Sequence, residues 1–211
     1  MKTFPIFLDL HGKLAVVVGA GDVGRRKVHA LLEAGAEIKL VDEAMPSDAA
    51  GRGEVEAFRA AGVLFIQKSY CAEHLDGATL VFACTDDRVL NAQVARDAQW
   101  VGALVNVADR PDDCDFLMPA VAAAGEVVVA VGTGGASPAL AGRIRDQLAA
   151  ALPERIGDFA AALARLRDEL KHTLPHAEPR MAILRRLASR EAHEAFLRGG
   201  IEALRKFSKP E

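Results

Sequence analysis

Residues 14–42 limit the fold of this chain more than any other stretch. Leu14-Ala15-Val16-Val17-Val18 runs into Gly19-Ala20-Gly21-Asp22-Val23-Gly24, a helix-forming segment follows to Ala34, and Glu37-Ile38-Lys39-Leu40-Val41-Asp42 is a second apolar-rich run. The pattern predicts a strand, a tight turn, a helix and a second strand. Each glycine has its own expected task. Gly19 turns the chain off the strand, Gly21 lets backbone approach a pyrophosphate, and Gly24 lets the helix lie against the sheet. The free N–H groups at the helix start would then face the anion. Asp42 ends the second strand about 20 residues on, where a carboxylate accepts hydrogen bonds from an adenosine ribose and repels a 2′-phosphate; NAD is therefore expected over NADP. A merely structural turn and a solvated Asp42 are the alternative readings.

The chain has 211 residues, enough for one full domain and an appendage. With 51% hydrophobic and 26% charged residues it reads as a soluble globular protein, and its net charge of −3 carries no nucleic-acid signature. Residues 151–211 are locally basic, with 12 Lys+Arg against 9 Asp+Glu, where residues 1–150 carry 14 against 20. Such a tail suits either an anionic partner or a solvated helical surface. Cys71, Cys84 and Cys114 are odd in number and show no CxxC spacing, which points to reduced thiols in a cytoplasm. The apolar N-terminal stretch is too short for a signal peptide, and no run spans a membrane.

Further strands are expected at Val63-Leu64-Phe65-Ile66, at Thr79-Leu80-Val81-Phe82-Ala83 and at Leu104-Val105-Asn106-Val107-Ala108-Asp109, with a short helix over residues 54–61 and another over residues 88–99. Residues 46–53 read as a turn and residues 71–77 as an irregular link. In an open parallel sheet the ligand lies beyond the carboxyl ends of the strands. This puts Thr85 and Asp86 within reach of a cofactor, whereas Asp87 reads best as the N-cap of the next helix. Asn91, one turn inside, faces either cofactor or solvent. Asp109 would project at the same mouth beside Asn106; by composition the four carboxylates of residues 109–115 suit a solvated turn, with a metal or proton-transfer site as the alternative. A second glycine-rich turn, Gly132-Thr133-Gly134-Gly135-Ala136-Ser137-Pro138, follows the β-rich run 127–131 and leads into a helix bearing Arg143 and Arg145; it suits a carboxylate or phosphate, or simply joins strand to helix. From Pro153 onward only helical spacing remains. His172, His176 and His193 lack metal-ligand spacing, so no metal site is expected.

The ordered series Pro5-Ile6-Phe7-Leu8-Asp9-Leu10, Val18-Gly19-Ala20-Gly21-Asp22-Val23-Gly24-Arg25-Arg26-Lys27, Ala83-Cys84-Thr85-Asp86-Asp87 with Asn91, Val105-Asn106-Val107-Ala108-Asp109, Cys114-Asp115-Phe116 and Thr133-Gly134-Gly135-Ala136-Ser137-Pro138-Ala139-Leu140-Ala141 resembles the precorrin-2 dehydrogenase family, the NAD-binding part of siroheme synthase. The resemblance covers about 150 residues in order. It implies a Rossmann-like α/β domain over residues 1–112, a dimerisation segment over 113–150 and a helical C-terminal module over 151–211, in a homodimer. The implied activity is NAD-dependent oxidation of precorrin-2 to sirohydrochlorin, with ferrous ion a further substrate in members that double as ferrochelatases.

On the same resemblance Asp109 is the general base, and Gly19, Gly21, Asp22, Val23, Gly24, Asp42, Thr85 and Asp86 hold the cofactor. Asn106, Thr133, Gly134, Gly135, Ser137 and Arg143 are the expected substrate-binding set, with Arg25, Arg26 and Arg145 as further partners for its carboxylates; a solvated helix surface is the alternative reading of all four arginines. Thr133 stands where some members carry a phosphorylated serine. The family usually has a non-acidic residue in place of Asp42 and often alanine in place of Gly24. A non-catalytic NAD-sensing module and a dehydrogenase of another small substrate are the rival readings.

Overall fold

The computed structural model describes residues 3–108, 110–174 and 176–207. It divides into two compact units, Met1–Met118 and Pro119–Glu211.

The first unit is the expected Rossmann-like α/β fold. Strands β1 (Leu14–Val18), β2 (Glu37–Asp42), β3 (Leu64–Gln67), β4 (Leu80–Ala83) and β5 (Leu104–Val107) form a parallel sheet in the order β3-β2-β1-β4-β5. Side chains alternate across a strand, so both faces of a buried parallel sheet must be apolar. In β1, Ala15 and Val17 join the core beneath helices α1 (Asp22–Glu33) and α2 (Ala49–Ala60), while Val16 and Val18 join the opposite core beneath α3 (Arg88–Val101). The chain lays β2 and β3 on one side of β1, then crosses back to place β4 and β5 on the other. Connections after β1 and β4 leave to opposite faces, which opens a crevice above the carboxyl ends of those two strands.

Helix α2 begins earlier than the glycines of residues 46–53 suggest. Asp48 caps it by accepting from the Gly51 N–H at 2.6 Å. Gly51 sits in the helix because a side chain there would press on Pro46 at 2.7 Å and on the Arg25 guanidinium at 2.8 Å. Part of the irregular link is a 3-10 turn, Ala72–Leu75. After β5 the chain folds back along that strand as a strap. The Asp115 N–H donates to the Val105 carbonyl at 2.8 Å, and the Asp115 carboxylate accepts from the Val105 N–H at 2.9 Å.

The second unit opens with an antiparallel hairpin, β6 (Ala120–Ala124) and β7 (Val127–Val131), and continues as helices α4 (Pro138–Ala150), α5 (Ile156–Thr173), α6 (Ala177–Leu187) and α7 (Arg190–Phe207). Strand β6 is absent from the sequence-based expectation because four of its five residues are alanine, a poor strand former. Its conformation comes from pairing with β7 across a turn in which Gly125 takes φ +58°. Helix α4 packs on this hairpin. Phe159, Leu166, Leu170, Ile183, Leu187, Phe196 and Leu204 form a core within α5 to α7, and α7 loses helical geometry at Gly199 and Gly200.

Candidate functional site

The site is built on the corner between β1 and α1. Gly19 takes φ +106°, and a side chain there would meet the Cys84 carbonyl oxygen at 2.6 Å. A side chain at Gly24 would overlap the Gly19 carbonyl oxygen. These two glycines are therefore demanded by the protein's own packing. Gly21 differs: its backbone is extended, and nothing of the protein lies within 4 Å of where its Cβ would stand. No side chain caps α1, so its first N–H groups face that open space with the positive end of the helix dipole behind them. A pyrophosphate fits this cradle, and a methyl group at Gly21 would fill it. Asp22 and Val23 are the first two residues of the helix, Asp22 exposed and Val23 half-buried against the core.

Asp42 closes the side of the turn. Its Oδ2 accepts from the Ala20 N–H at 2.7 Å and its Oδ1 from the Ala44 N–H at 3.1 Å, while the Gly19 N–H donates to the Val41 carbonyl at 2.8 Å. A carboxylate has about four acceptor positions, so two bonds leave capacity for ribose hydroxyls. Arg25 lies below the turn and is buried. Its guanidinium donates to the Ala20 carbonyl at 3.0 Å, to Asp22 at 2.6 Å and to Glu54 on α2. Those bonds correct its expected role: Arg25 braces the turn and is not a partner for a substrate carboxylate. Arg26 remains exposed beside it.

Across the crevice, Asp87 caps α3 by accepting from the N–H groups of Val89 at 2.8 Å and Leu90 at 3.2 Å. Thr85 is half-buried and Asp86 exposed. Asn91 is buried and faces neither cofactor space nor solvent. Its amide oxygen accepts from the Thr85 N–H at 3.1 Å and hydroxyl at 2.7 Å, and its amide nitrogen donates to the Thr85 carbonyl at 2.8 Å. The clamp fixes the β4–α3 corner. Sequence reasoning left Asn91 unassigned; the available signal was its place one turn inside a capped helix, where helical side chains point back toward the cap.

Asn106 is buried at the end of β5, and its amide nitrogen donates to the Phe116 carbonyl of the strap at 2.9 Å. The Cys114 sulfur accepts from the Val107 N–H at 3.1 Å. Burial pushes the Cys84 thiol up to about 11 and raises Cys114 as well. Asp109 lies outside the described residues.

The remaining expected residues belong to the second unit. The Thr133 hydroxyl accepts from the Ser137 N–H at 3.1 Å and donates to the Ser137 carbonyl at 3.1 Å, while Gly134 and Gly135 take φ +61° and +86°. Ser137 caps α4 through the Leu140 N–H at 3.2 Å. Arg143 is exposed on that helix, whereas Arg145 is held by Asp146 and the Val121 carbonyl. No helix among the described residues is long and apolar enough to cross a membrane.

A family model described as "Putative NAD(P)-binding" matches residues 6–120. The siroheme synthase of Methylococcus capsulatus is 37% identical over 205 residues, which are 96% of this chain and 42% of that protein. Those of Photorhabdus laumondii and Nitrosospira multiformis are 37% and 38% identical over 82% of this chain and 36% of theirs. The chain thus spans about two fifths of the length of these curated relatives. Among solved structures, one described as SirC, precorrin-2 dehydrogenase superposes with a TM-score of 0.75 over 99% of this chain and all of that one, at 24% identity. The resemblance read from the sequence and the Rossmann-like fold are borne out by these matches.

Proposed function

From the premise that the chain belongs to the NAD(P)-binding family whose model covers residues 6–120, we propose that it is an NAD-dependent precorrin-2 dehydrogenase. The observation that carries the cofactor half is the uncapped start of α1 facing open space above Gly21, with the Asp42 carboxylate beside it. The substrate half rests on the siroheme synthases, which match over 82–96% of the chain.

Oxidation of precorrin-2 to sirohydrochlorin removes a hydride and a proton from the macrocycle. When bound, a nicotinamide would supply the acceptor for the hydride. The protein's part is to hold the two partners face to face and to take the proton. The first N–H groups of α1 hold the pyrophosphate, and Asp42 accepts from the adenosine ribose, where its charge disfavours a 2′-phosphate. Thr85, fixed by Asn91, borders the crevice on the cofactor side. Asp109 is assigned as the base that takes the proton, on the family resemblance. Thr133, Gly134, Gly135, Ser137 and Arg143 are assigned to the substrate. The three thiols are free, which agrees with a cytoplasmic enzyme.

We assign the working form as a homodimer in contact through residues 113–150, supported by the outward face of the β6–β7 hairpin, where Val121 and Val128 are 46% and 40% exposed. The test of the reaction is absorbance: purified protein with precorrin-2 and NAD should form sirohydrochlorin and NADH together. Asp109→Ala should abolish turnover and leave NAD affinity unchanged. Cofactor binding without turnover would favour an NAD-sensing module instead. Adding ferrous ion to sirohydrochlorin, with and without protein, tests iron insertion.

A further inference from the structure

Helix α1 draws two cations out of water, and the protein treats them differently. Arg25 has three partners. Lys27 is half-buried, its Nζ lies 5.8 Å from the centroid of the Phe82 ring, and Phe116 packs edge-on against that ring at 5.5 Å. The titratable and charged groups that face it are Arg26 on its own helix, Cys84 after β4 and Cys114 in the strap. Arg26 repels it, and both sulfurs are thiols at neutral pH because burial raises them. Among the described residues no carboxylate stands as its electrostatic neighbour.

Side chains on a helix lean toward its N-terminus, so Lys27 runs back toward the start of α1. Cys84 and Cys114 stand at the carboxyl ends of β4 and β5, which places the ammonium's surroundings at the crevice mouth. A half-buried cation with no counter-charge among the described residues is unfavourable, and burial does lower the Lys27 pKa below its ordinary 10.5. The penalty disappears when an anion docks.

We propose that the Lys27 ammonium anchors a carboxylate of the macrocyclic substrate at the mouth between β1 and β4. This inference rests on the tetrapyrrole reading above and assigns one contact within it. Lys27→Met should raise the KM for precorrin-2 about tenfold or more, the scale of one lost charge-assisted contact. Its kcat and NAD affinity should stay near those of the parent, and Lys27→Arg should recover most of the loss. Sirohydrochlorin binding without NAD, followed by absorbance titration, should weaken by a similar factor, independently of turnover.

Calorimetry in buffers of different ionisation enthalpy adds a readout that mere packing would not move. Docking an anion raises the lowered lysine pKa, so the parent takes up protons on binding at alkaline pH and Lys27→Met does not. The thermal midpoint of Lys27→Met should equal or exceed the parent's, since a desolvated charge is removed. An unchanged KM and product affinity in Lys27→Met would overturn the assignment, as would weakened NAD binding, which would move the residue to the cofactor side. A parent protein inert toward precorrin-2 and unable to bind sirohydrochlorin would instead overturn the function reading itself, whatever the variants do.

Discussion

Asp42 shapes the turn and, on the proposed function, also holds the cofactor's ribose, and its replacement separates the two tasks. Its carboxylate holds the Ala20 N–H at 2.7 Å, so it shapes the turn even with no nucleotide present. Asp42→Asn keeps one acceptor, for the Ala20 N–H, while it removes the charge and turns an amide donor toward the Ala44 N–H, at a cost of about 1 kcal/mol in the bonds to it. NAD affinity should fall about fivefold and NADP affinity should rise, as paired titrations with the two cofactors would measure. Asp42→Ala should also lower the melting temperature, because the Ala20 N–H loses its acceptor. The place of Asp42 at the end of β2 was legible from the alternation of one apolar-rich run. What sequence could not show is that Ala20, 22 residues earlier, already occupies part of it, or that Arg25 is braced by Glu54, 29 residues away. Partners so distant in the chain leave no periodic trace.

At the level of elements, the β1–α1 corner yields a contrast between two glycines three residues apart. Gly24→Ala puts a methyl group into the Gly19 carbonyl oxygen, so the start of α1 must lift from β1, at about 1–3 kcal/mol of stability. Gly21→Ala meets nothing of the protein and should change stability by no more than about 0.5 kcal/mol, yet weaken NAD binding about tenfold or more by occupying the pyrophosphate's place. Thermal melts and NAD titrations of both variants check the pair; equal effects on folding would refute the division of roles. The strands of the first unit were readable because each is a short apolar run bounded by turns. The alanine-rich β6 was not, since its register is imposed by β7, and neither was the start of α2, where Asp48 overrides two glycines.

On the scale of the whole molecule, the dimer proposal turns on the hairpin face carrying Val121 and Val128. A Val121→Lys, Val128→Lys double variant places like charges on a face that must desolvate. It should sediment as a monomer under conditions where the parent is a dimer, with its circular dichroism unchanged. The strap after β5 has a different bearing on how copies meet. The β5 edge would present the N–H groups of Val105 and Val107 to solvent, but the Asp115 carboxylate and the Cys114 sulfur already take both. A stray strand from a neighbouring copy therefore finds no free donors there to template on, and this flank of the sheet is guarded against the runaway accretion that ends in fibrils.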